Sequence, residues 1–337
     1  MGLTMDTAFW ESKSVLVTGA DGFVGSHLTE RLIQLGADVS ILVRGTSVTG
    51  TTSYSFRKLP GRVTERLGQV LCCDIASADS IALMAEVDPQ IVFHLAAAAY
   101  VPFSFDHPFE VLGANVVGTA HVLEAARRAR RLERIVVTSS SEVYGTALAE
   151  RIDESHPLNP TSPYAASKAA ADRYAFAYRA TYGLPVAIIR PFNTYGPRHT
   201  YDVIPKFIGL ALRNEPITIY GTGEQTRDFL YVSDTVEAFL VMGSAPSAIG
   251  RVVNFGTGRD VSINRLAQLV KRIAKSQSEI VHVDARAAEV DRLCCDWRLA
   301  STLFDWAPRV DMEAGLTANI EWSRDNDGGK SDEIKRR

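Results

Sequence analysis

Six short aliphatic runs, parted by longer amphipathic stretches, constrain this chain more than any other feature. They cover residues 15–17, 39–43, 70–73, 91–95, 135–138 and 186–190. Each is too short for a helix and apolar throughout, which predicts strands buried on both faces. The stretches 25–35, 108–131 and 163–182 read as helices, the last one Ala-rich and opened by Pro163 at its first turn. Strand and helix in alternation predict an α/β fold, a doubly wound parallel sheet of Rossmann type.

After Arg190 the alternation breaks, and Pro191, Pro197, Pro205 and Pro216 punctuate the chain. The expected organisation is a dinucleotide-binding Rossmann domain over 10–190, its sheet completed by parts of 228–256. A smaller C-terminal α/β lobe over 191–325 would mainly bind substrate, followed by a frayed polar tail over 326–337. With 46% hydrophobic residues, 22% charged and a formal charge of −3, disorder and a basic nucleic-acid footprint are both disfavoured. The expected partner is a small molecule, with no nucleic acid and no membrane. No apolar run is long enough to span a bilayer, and the first, at 15–17, is too short for a signal segment, so a cytoplasmic enzyme is expected. The cysteines fall in adjacent pairs, Cys72-Cys73 and Cys294-Cys295, without metal-ligand spacing; they read as reduced thiols, with no metal site.

The first strand runs into VTGADGFVGSHL, residues 17–28, with Gly19, Gly22 and Gly25 at a strand-to-helix junction. Glycines there allow a tight turn and let backbone N–H groups approach a diphosphate at a helix N-terminus. The spacing is G-x-x-G-x-x-G, one residue longer than the dehydrogenase pattern. At the end of the second strand, where an acid would hold the ribose of NAD, stand Arg44, Thr46 and Ser47. These suit the 2′-phosphate of NADP, with NAD the alternative; Asp38 comes before the strand, and Arg44 could instead be a solvated loop residue. Asp74 could meet the adenine or cap the following helix.

Strand five leads into TSSSEVYG, residues 138–145, and Tyr164 and Lys168 follow one helical turn apart. A tyrosine acting as base needs a nearby cation to stabilise its phenolate, and the lysine can supply it. With GADGFVGSHL, FHLAA at 93–97, NVVGT at 115–119, RPFNTYGPR at 190–198 and GTGEQTRDFLYVSD at 221–234, these motifs fall in one order over residues 13–325. The chain therefore resembles the extended short-chain dehydrogenases/reductases, in the branch acting on nucleotide-diphosphate sugars.

The resemblance implies that Tyr164 removes the proton from the sugar O4, that Ser140 hydrogen-bonds O4, and that Lys168 holds the nicotinamide ribose. It implies cofactor contacts from Gly19, Gly22, Phe23, Val24, Gly25, Arg44, Asp74, Ile75, Leu95, Ala96 and Ala97 besides Tyr164 and Lys168. Ser141, Asn193, Arg227 and Arg292 would contact the substrate, although Arg227 could instead pair with Asp228. The helices from Pro108 and Pro163 would form a homodimer interface. YVPFSFDH, residues 100–107, follows strand four at the ligand-binding edge; His94 and His107 are given no role.

Glu142 separates the reactions of the branch. A ketone at C4 acidifies the hydrogen on C5. An epimerase needs no side-chain base there, whereas a 4,6-dehydratase does. Glu142 resembles the glutamate with which dehydratases take the C5 proton before the C6 hydroxyl leaves. The dTDP-glucose dehydratases have Asp-Glu where this chain has Ser141-Glu142, so the acid at C6 is not supplied by that position. The GDP-mannose dehydratases have Ser-Glu, and RAAEVD at 286–291 is similar to one of their stretches. UDP-glucuronate decarboxylases also carry Ser-Glu, and RPFNTYGPR is closer to other branches, including UDP-N-acetylglucosamine dehydratases. The expected reaction is hydride transfer from C4, loss of water across C5 and C6, and hydride return to C6. A decarboxylase or a 4-epimerase is the alternative, and a non-catalytic nucleotide-binding protein a remote one, disfavoured by Ser140, Tyr164 and Lys168 standing together.

Overall fold

The computed structural model describes residues 7–44, 58–285 and 289–327. Seven strands form one parallel sheet: β1 Ser14–Thr18, β2 Asp38–Val43, β3 Val70–Cys72, β4 Ile91–His94, β5 Arg134–Thr138, β6 Val186–Pro191 and, late in the chain, β10 Val252–Phe255. Their order is β10-β6-β5-β4-β1-β2-β3, a Rossmann arrangement in which the direction of winding reverses beside β1. Every neighbouring pair runs parallel.

Alternation along a strand sends neighbouring side chains to opposite faces. On β1, Val15 and Val17 pack with Trp10, Leu28, Leu32 and Phe239, while Leu16 packs with Ile75, Val122 and Val137. Each such side chain, when fully buried, contributes roughly 1.5–3 kcal/mol, which explains why both faces of so short a strand are apolar. The Phe23–Gln34 helix turns Leu28 and Leu32 inward one turn apart, and the chain leaves it through Gly36 at φ +83°.

The sequence-expected helix over 108–131 is not uniform. It runs as Pro108–Leu112, a π turn Gly113–Val117, and Gly118–Arg128. A Cβ at Gly118 would lie 2.7 Å from Ile75 Cγ2, so the helix passes too close to the loop after β3 for a larger residue. The Pro163–Tyr182 helix is continuous and ends on Gly183 in the left-handed region.

A second cluster gathers Ile204, Phe207, Ile208, Ile217, Leu266, Val270 and Leu316. It joins the Val203–Leu212, Ile263–Ala274 and Met312–Asp327 helices to β8 Ile217–Tyr220, which pairs with β12 Ile280–Val283. A three-stranded sheet of β7 Asn193–Tyr195, β9 Thr226–Tyr231 and β11 Asp260–Ser262 ties the two clusters together. On β9, Phe229 packs into the second cluster and its neighbour Leu230 into the first. Residues 325–327 continue the last helix; the rest of the expected polar tail, from 328, lies outside the described residues.

Candidate active site

The turn after β1 is built for close approach. Gly19 has φ +73°, and a Cβ there would lie 2.6 Å from the Ala96 nitrogen; one at Gly25 would lie 2.1 Å from the Gly19 carbonyl oxygen. Gly22 N–H donates to Gly19 O at 2.9 Å, and no side chain caps the Phe23–Gln34 helix. The N–H groups of Phe23, Val24 and Gly25 have no acceptor within the helix, so its first turn faces the cradle as a site for anionic oxygen. Thr18 Oγ1 accepts from Ala96 N at 3.3 Å, which fixes the Leu95-Ala96-Ala97 segment beside the turn. A nicotinamide dinucleotide fits this shape, because the space that Cβ atoms would fill is where a diphosphate needs the backbone.

Arg44 is exposed at the end of β2, while Thr46 and Ser47, the hydroxyls expected beside it, lie outside the described residues. Asp74 accepts from Ala76 N–H at 2.9 Å, and the next helix begins only at Asp79, so Asp74 shapes its own turn and caps no helix. Ile75 is buried beneath it. His94, inside β4, is held between Thr18 Oγ1 at 2.8 Å and Thr119 Oγ1 at 2.9 Å; burial lowers its pKa to about 3, so it is a neutral structural residue.

The structure brings Ser140, Glu142, Tyr164 and Lys168 together. Ser140 ends β5 in an extended conformation and opens a short turn, Ser141–Tyr144, by accepting from Glu142 N–H at 3.2 Å. Its hydroxyl also hydrogen-bonds the Tyr164 phenol. Burial raises that phenol's pKa, the Ser140 bond opposes the rise, and the charges of Glu142 and Asp202 add to it. Lys168, buried one turn on, donates to Thr138 O, and burial lowers its pKa to about 8 against the opposing charge of Asp172. Glu142 is half-buried. Burial raises its carboxyl, Arg227 pulls it down, and Glu289 and Asp202 push it up. A phenol, a hydroxyl, a cation and a basic carboxylate in one place can move protons at two neighbouring carbons. Ser141 is buried in the same turn.

Arg227 does not pair with Asp228. It lies against Glu289 at 3.1 Å and donates to Val290 O at 2.7 Å, whereas Asp228 points to the other face of β9 and accepts from Thr257, Gly258 and Cys295 N–H groups. Arg292 pairs with Asp260, at 2.7 and 3.2 Å, and its backbone bridges to Thr226, next to Arg227. Asn193, on β7, keeps a buried Oδ1 without a hydrogen-bond partner, an acceptor left for a ligand. In RAAEVD, residues 286–288 lie outside the described residues. Cys72, Cys73, Cys294 and Cys295 are all free thiols.

Three features escaped the reading of the sequence. Asn115, buried in the π turn, accepts from Ala98 N–H at 2.8 Å and donates to Ser167 Oγ at 2.8 Å, tying the loop after β4 to the Tyr164 helix. Its motif, NVVGT, was visible, but its role depends on the π turn aiming the amide inward. Beneath the site Arg190 joins Asp172 at 2.8 Å to the Tyr144 hydroxyl at 2.7 Å, and that hydroxyl donates to Asn254 Oδ1 at 2.7 Å. The third is the Gly196–Asp202 segment, whose residues contact the glycine-turn helix: His27 meets Pro197 O at 2.9 Å, Arg198 meets Glu30 at 2.5 Å, and His199 stacks on Phe23 at 4.3 Å.

A model of the GDP-mannose 4,6-dehydratase family matches residues 16–318. The dTDP-D-glucose 4,6-dehydratase of Bos taurus is 37% identical, over 94% of this chain and 90% of its own length. A putative UDP-glucose 4-epimerase of Methanocaldococcus jannaschii is 34% identical, over 93% of this chain and 99% of its own. Among solved structures, the dTDP-glucose 4,6-dehydratase DesIV of Streptomyces venezuelae, with NAD bound, superposes with a TM-score of 0.84 at 30% identity, covering 93% of this chain and 98% of that one.

Proposed function

The chain belongs to the GDP-mannose 4,6-dehydratase family, among the extended short-chain dehydrogenases/reductases, and from that premise we propose that it dehydrates a nucleotide-diphosphate hexose. The product would be a 4-keto-6-deoxy sugar nucleotide. The observation that carries the reading is Glu142, held by the Ser140 turn on the same side as Tyr164 and with its carboxyl made more basic by burial. A base so placed has no part in a simple epimerisation, because returning hydride to the other face of C4 requires no proton from C5.

Tyr164 takes the O4 proton with Ser140 as its hydrogen-bond partner, and Lys168 supplies the cation that favours the phenolate. A nicotinamide dinucleotide held at the Gly19–Gly25 turn would supply the hydride chemistry that oxidation at C4 and reduction at C6 require. Glu142 takes the proton from C5 and returns it to C5 after water has left. Asn193, Arg227, Arg292 and Ser141 are the residues we assign to the substrate, and the Ile204–Leu316 cluster to the lobe that carries it. The electrostatics disfavour decarboxylation of a hexuronate: Arg227 is already paired with Glu289, and the charges of Glu289 and Asp202 already act on Glu142 beside it, so another carboxylate there would lack a counter-charge.

Exposed Arg44 supports NADP as the preferred cofactor, although the similar dehydratase structure carries NAD. A homodimer is supported by Phe109, 84% exposed, with Leu112, Val117, Tyr174 and Phe176 also exposed along the helices from Pro108 and Pro163. The cytoplasm is the compartment assigned, in keeping with four free cysteines; among the described residues no helix is long and apolar enough to cross a membrane.

The test is mass spectrometry of the enzyme with cofactor and, separately, GDP-mannose, UDP-N-acetylglucosamine, UDP-glucose, dTDP-glucose, CDP-glucose and UDP-glucuronate. Loss of one water from a hexose is expected. Loss of carbon dioxide from UDP-glucuronate, or only an isomer of unchanged mass, contradicts the reading.

A further inference from the structure

The reaction proposed above divides its work between two segments of the chain. Tyr164 and Lys168 stand on the Pro163–Tyr182 helix, whereas Ser140 and Glu142 belong to the turn after β5. The helix has its own ties to the strand end: Tyr164 hydrogen-bonds Ser140, and Lys168 donates to Thr138 O. Glu142 is held through its backbone. Its N–H donates to Ser140 Oγ at 3.2 Å, and its carbonyl accepts from Gly145 N–H at 3.2 Å. A single short turn has no regular ladder to stiffen it, so the place of Glu142 depends on how the turn is pinned at its far end.

That far end is Tyr144. Its ring is completely buried, edge-on to His156 at a centroid distance of 5.5 Å. Arg190 Nη1 donates to its hydroxyl at 2.7 Å, and Asn254 Oδ1 lies 2.7 Å from the same oxygen. A guanidinium can only donate, so the one phenolic proton goes to Asn254. The Asn254 amide is fixed for this task, because its Nδ2 donates to Ile152 O at 3.1 Å and its backbone N–H to Glu154 Oε1 at 2.7 Å. Burial pushes the phenol up to about 12 against the pull of Arg190, so the proton stays in place near neutral pH.

Arg190 carries the connection onward. Its side chain is 3% exposed, and Nε donates to Asp172 Oδ2 at 2.8 Å. Asp172 is buried one turn beyond Lys168 on the same helix. The path Asp172, Arg190, Tyr144 therefore ties the helix of Tyr164 and Lys168 to the turn of Glu142. Arg190 comes from β6, and Asn254 from β10 at the edge of the sheet, so four elements meet around one hydroxyl. A buried network whose members all have partners fixes one arrangement rather than several.

We propose that Tyr144 is a positioning residue for Glu142. Its hydroxyl, held by Arg190 and Asn254, sets where the carboxyl that works at C5 stands relative to the pair that works at O4. The inference rests on the dehydratase reading above. Fully buried, Tyr144 has no surface to offer a sugar or a cofactor, and it transfers no proton. Tyr164 and Lys168 keep their ties to Ser140 and Thr138 without it, so loss of the hydroxyl slows the second half of the reaction and spares the first.

The experiment is a single turnover of wild type and Tyr144→Phe, which keeps the ring and removes the hydroxyl. Both receive the nucleotide hexose that loses water with wild type, and the same sugar deuterated at C5. Absorbance of reduced cofactor reports oxidation at C4, and mass spectrometry reports loss of water. The variant should oxidise C4 within about threefold of the wild-type rate and lose water about 10–100-fold more slowly. Deuterium at C5 should slow its water loss more than it slows that of wild type, because breaking the C5–H bond becomes limiting. Water loss within about threefold of wild type overturns the assignment, as does oxidation slowed as much as water loss, which marks a residue that only holds the fold together. Should Tyr144→Phe fail to fold, Asn254→Ser removes the acceptor of the phenolic proton and is expected to show the same division; equal slowing of both steps there overturns the assignment too. If wild type releases water from no hexose, the dehydratase reading itself fails and this assignment with it.

Discussion

At the residue scale, the site depends on groups whose properties burial has altered. Lys168 is the clearest case. Its pKa is lowered from 10.5 to about 8, so the folded protein binds that proton less tightly than the unfolded chain does. The buried cation therefore costs stability in full below pH 8, and the cost fades as pH rises from about 8 to 10.5, where the unfolded chain also loses the proton. Lys168→Met should raise the melting temperature at pH 7 without cofactor, with a gain that shrinks across that window while activity is lost. Thermal melts from pH 7 to 11 check this, and an unchanged or lowered melting temperature at pH 7 contradicts it. Tyr164, Lys168, Ser140 and Glu142 were legible because residue type and spacing carry their chemistry. The packing of the Gly196–Asp202 segment was not, because nothing in GPRHTYD shows that His199 stacks on Phe23 or that Arg198 and Asp202 are held at positive φ. The alternative pairing of Arg227 with Asp228 failed for a simple reason: neighbours on a strand point to opposite faces.

At the element scale, the strand–turn–helix of the cradle is the unit that selects a dinucleotide. Gly25→Ala would force a Cβ to within 2.1 Å of the Gly19 carbonyl, and the turn must open to relieve it. Isothermal titration should show binding of NADP and NAD weakened at least tenfold, with about 1–3 kcal/mol of stability lost, whereas Arg44→Ala should weaken NADP alone. Wild-type affinity in Gly25→Ala would show that the backbone does not approach the ligand there, and equal loss of both cofactors in Arg44→Ala would remove its link to a 2′-phosphate. The six apolar runs appear as strands almost residue for residue; five are buried on both faces, which leaves little freedom of pattern, whereas β3, at the edge of the sheet, is exposed at Val70 and half-buried at Leu71 and Cys72, so the expected burial fails there. The π turn at Gly113–Val117 did not show, since its extra residue per turn preserves an amphipathic pattern over so short a span. That turn aims Asn115 at Ser167, so the irregular part of the helix is the part that ties it to the site.

At the scale of the whole molecule, two hydrophobic clusters are joined through β9, which gives Leu230 to the first and Phe229 to the second. The parallel sheet could be read from the sequence; the second cluster could be expected only coarsely, because its strands are short and its contacts join segments as distant as Ile204 and Leu316. The exposed apolar surface of the helices from Pro108 and Pro163 belongs to this scale too. Burying Phe109, 84% exposed in one chain, would contribute roughly 1.5–3 kcal/mol per copy. Phe109→Asp should therefore convert a wild-type dimer into monomers at micromolar concentration in sedimentation velocity; a monomeric wild type, or a dimer that survives the change, contradicts the interface. The claim on which the account turns is that Glu142 removes the C5 proton, and a single-turnover experiment with Glu142→Gln tests it most directly. Reduced cofactor should form and persist while the sugar nucleotide loses no water, leaving a 4-ketohexose with its C6 hydroxyl in place. Release of water by the variant within tenfold of wild type would contradict it.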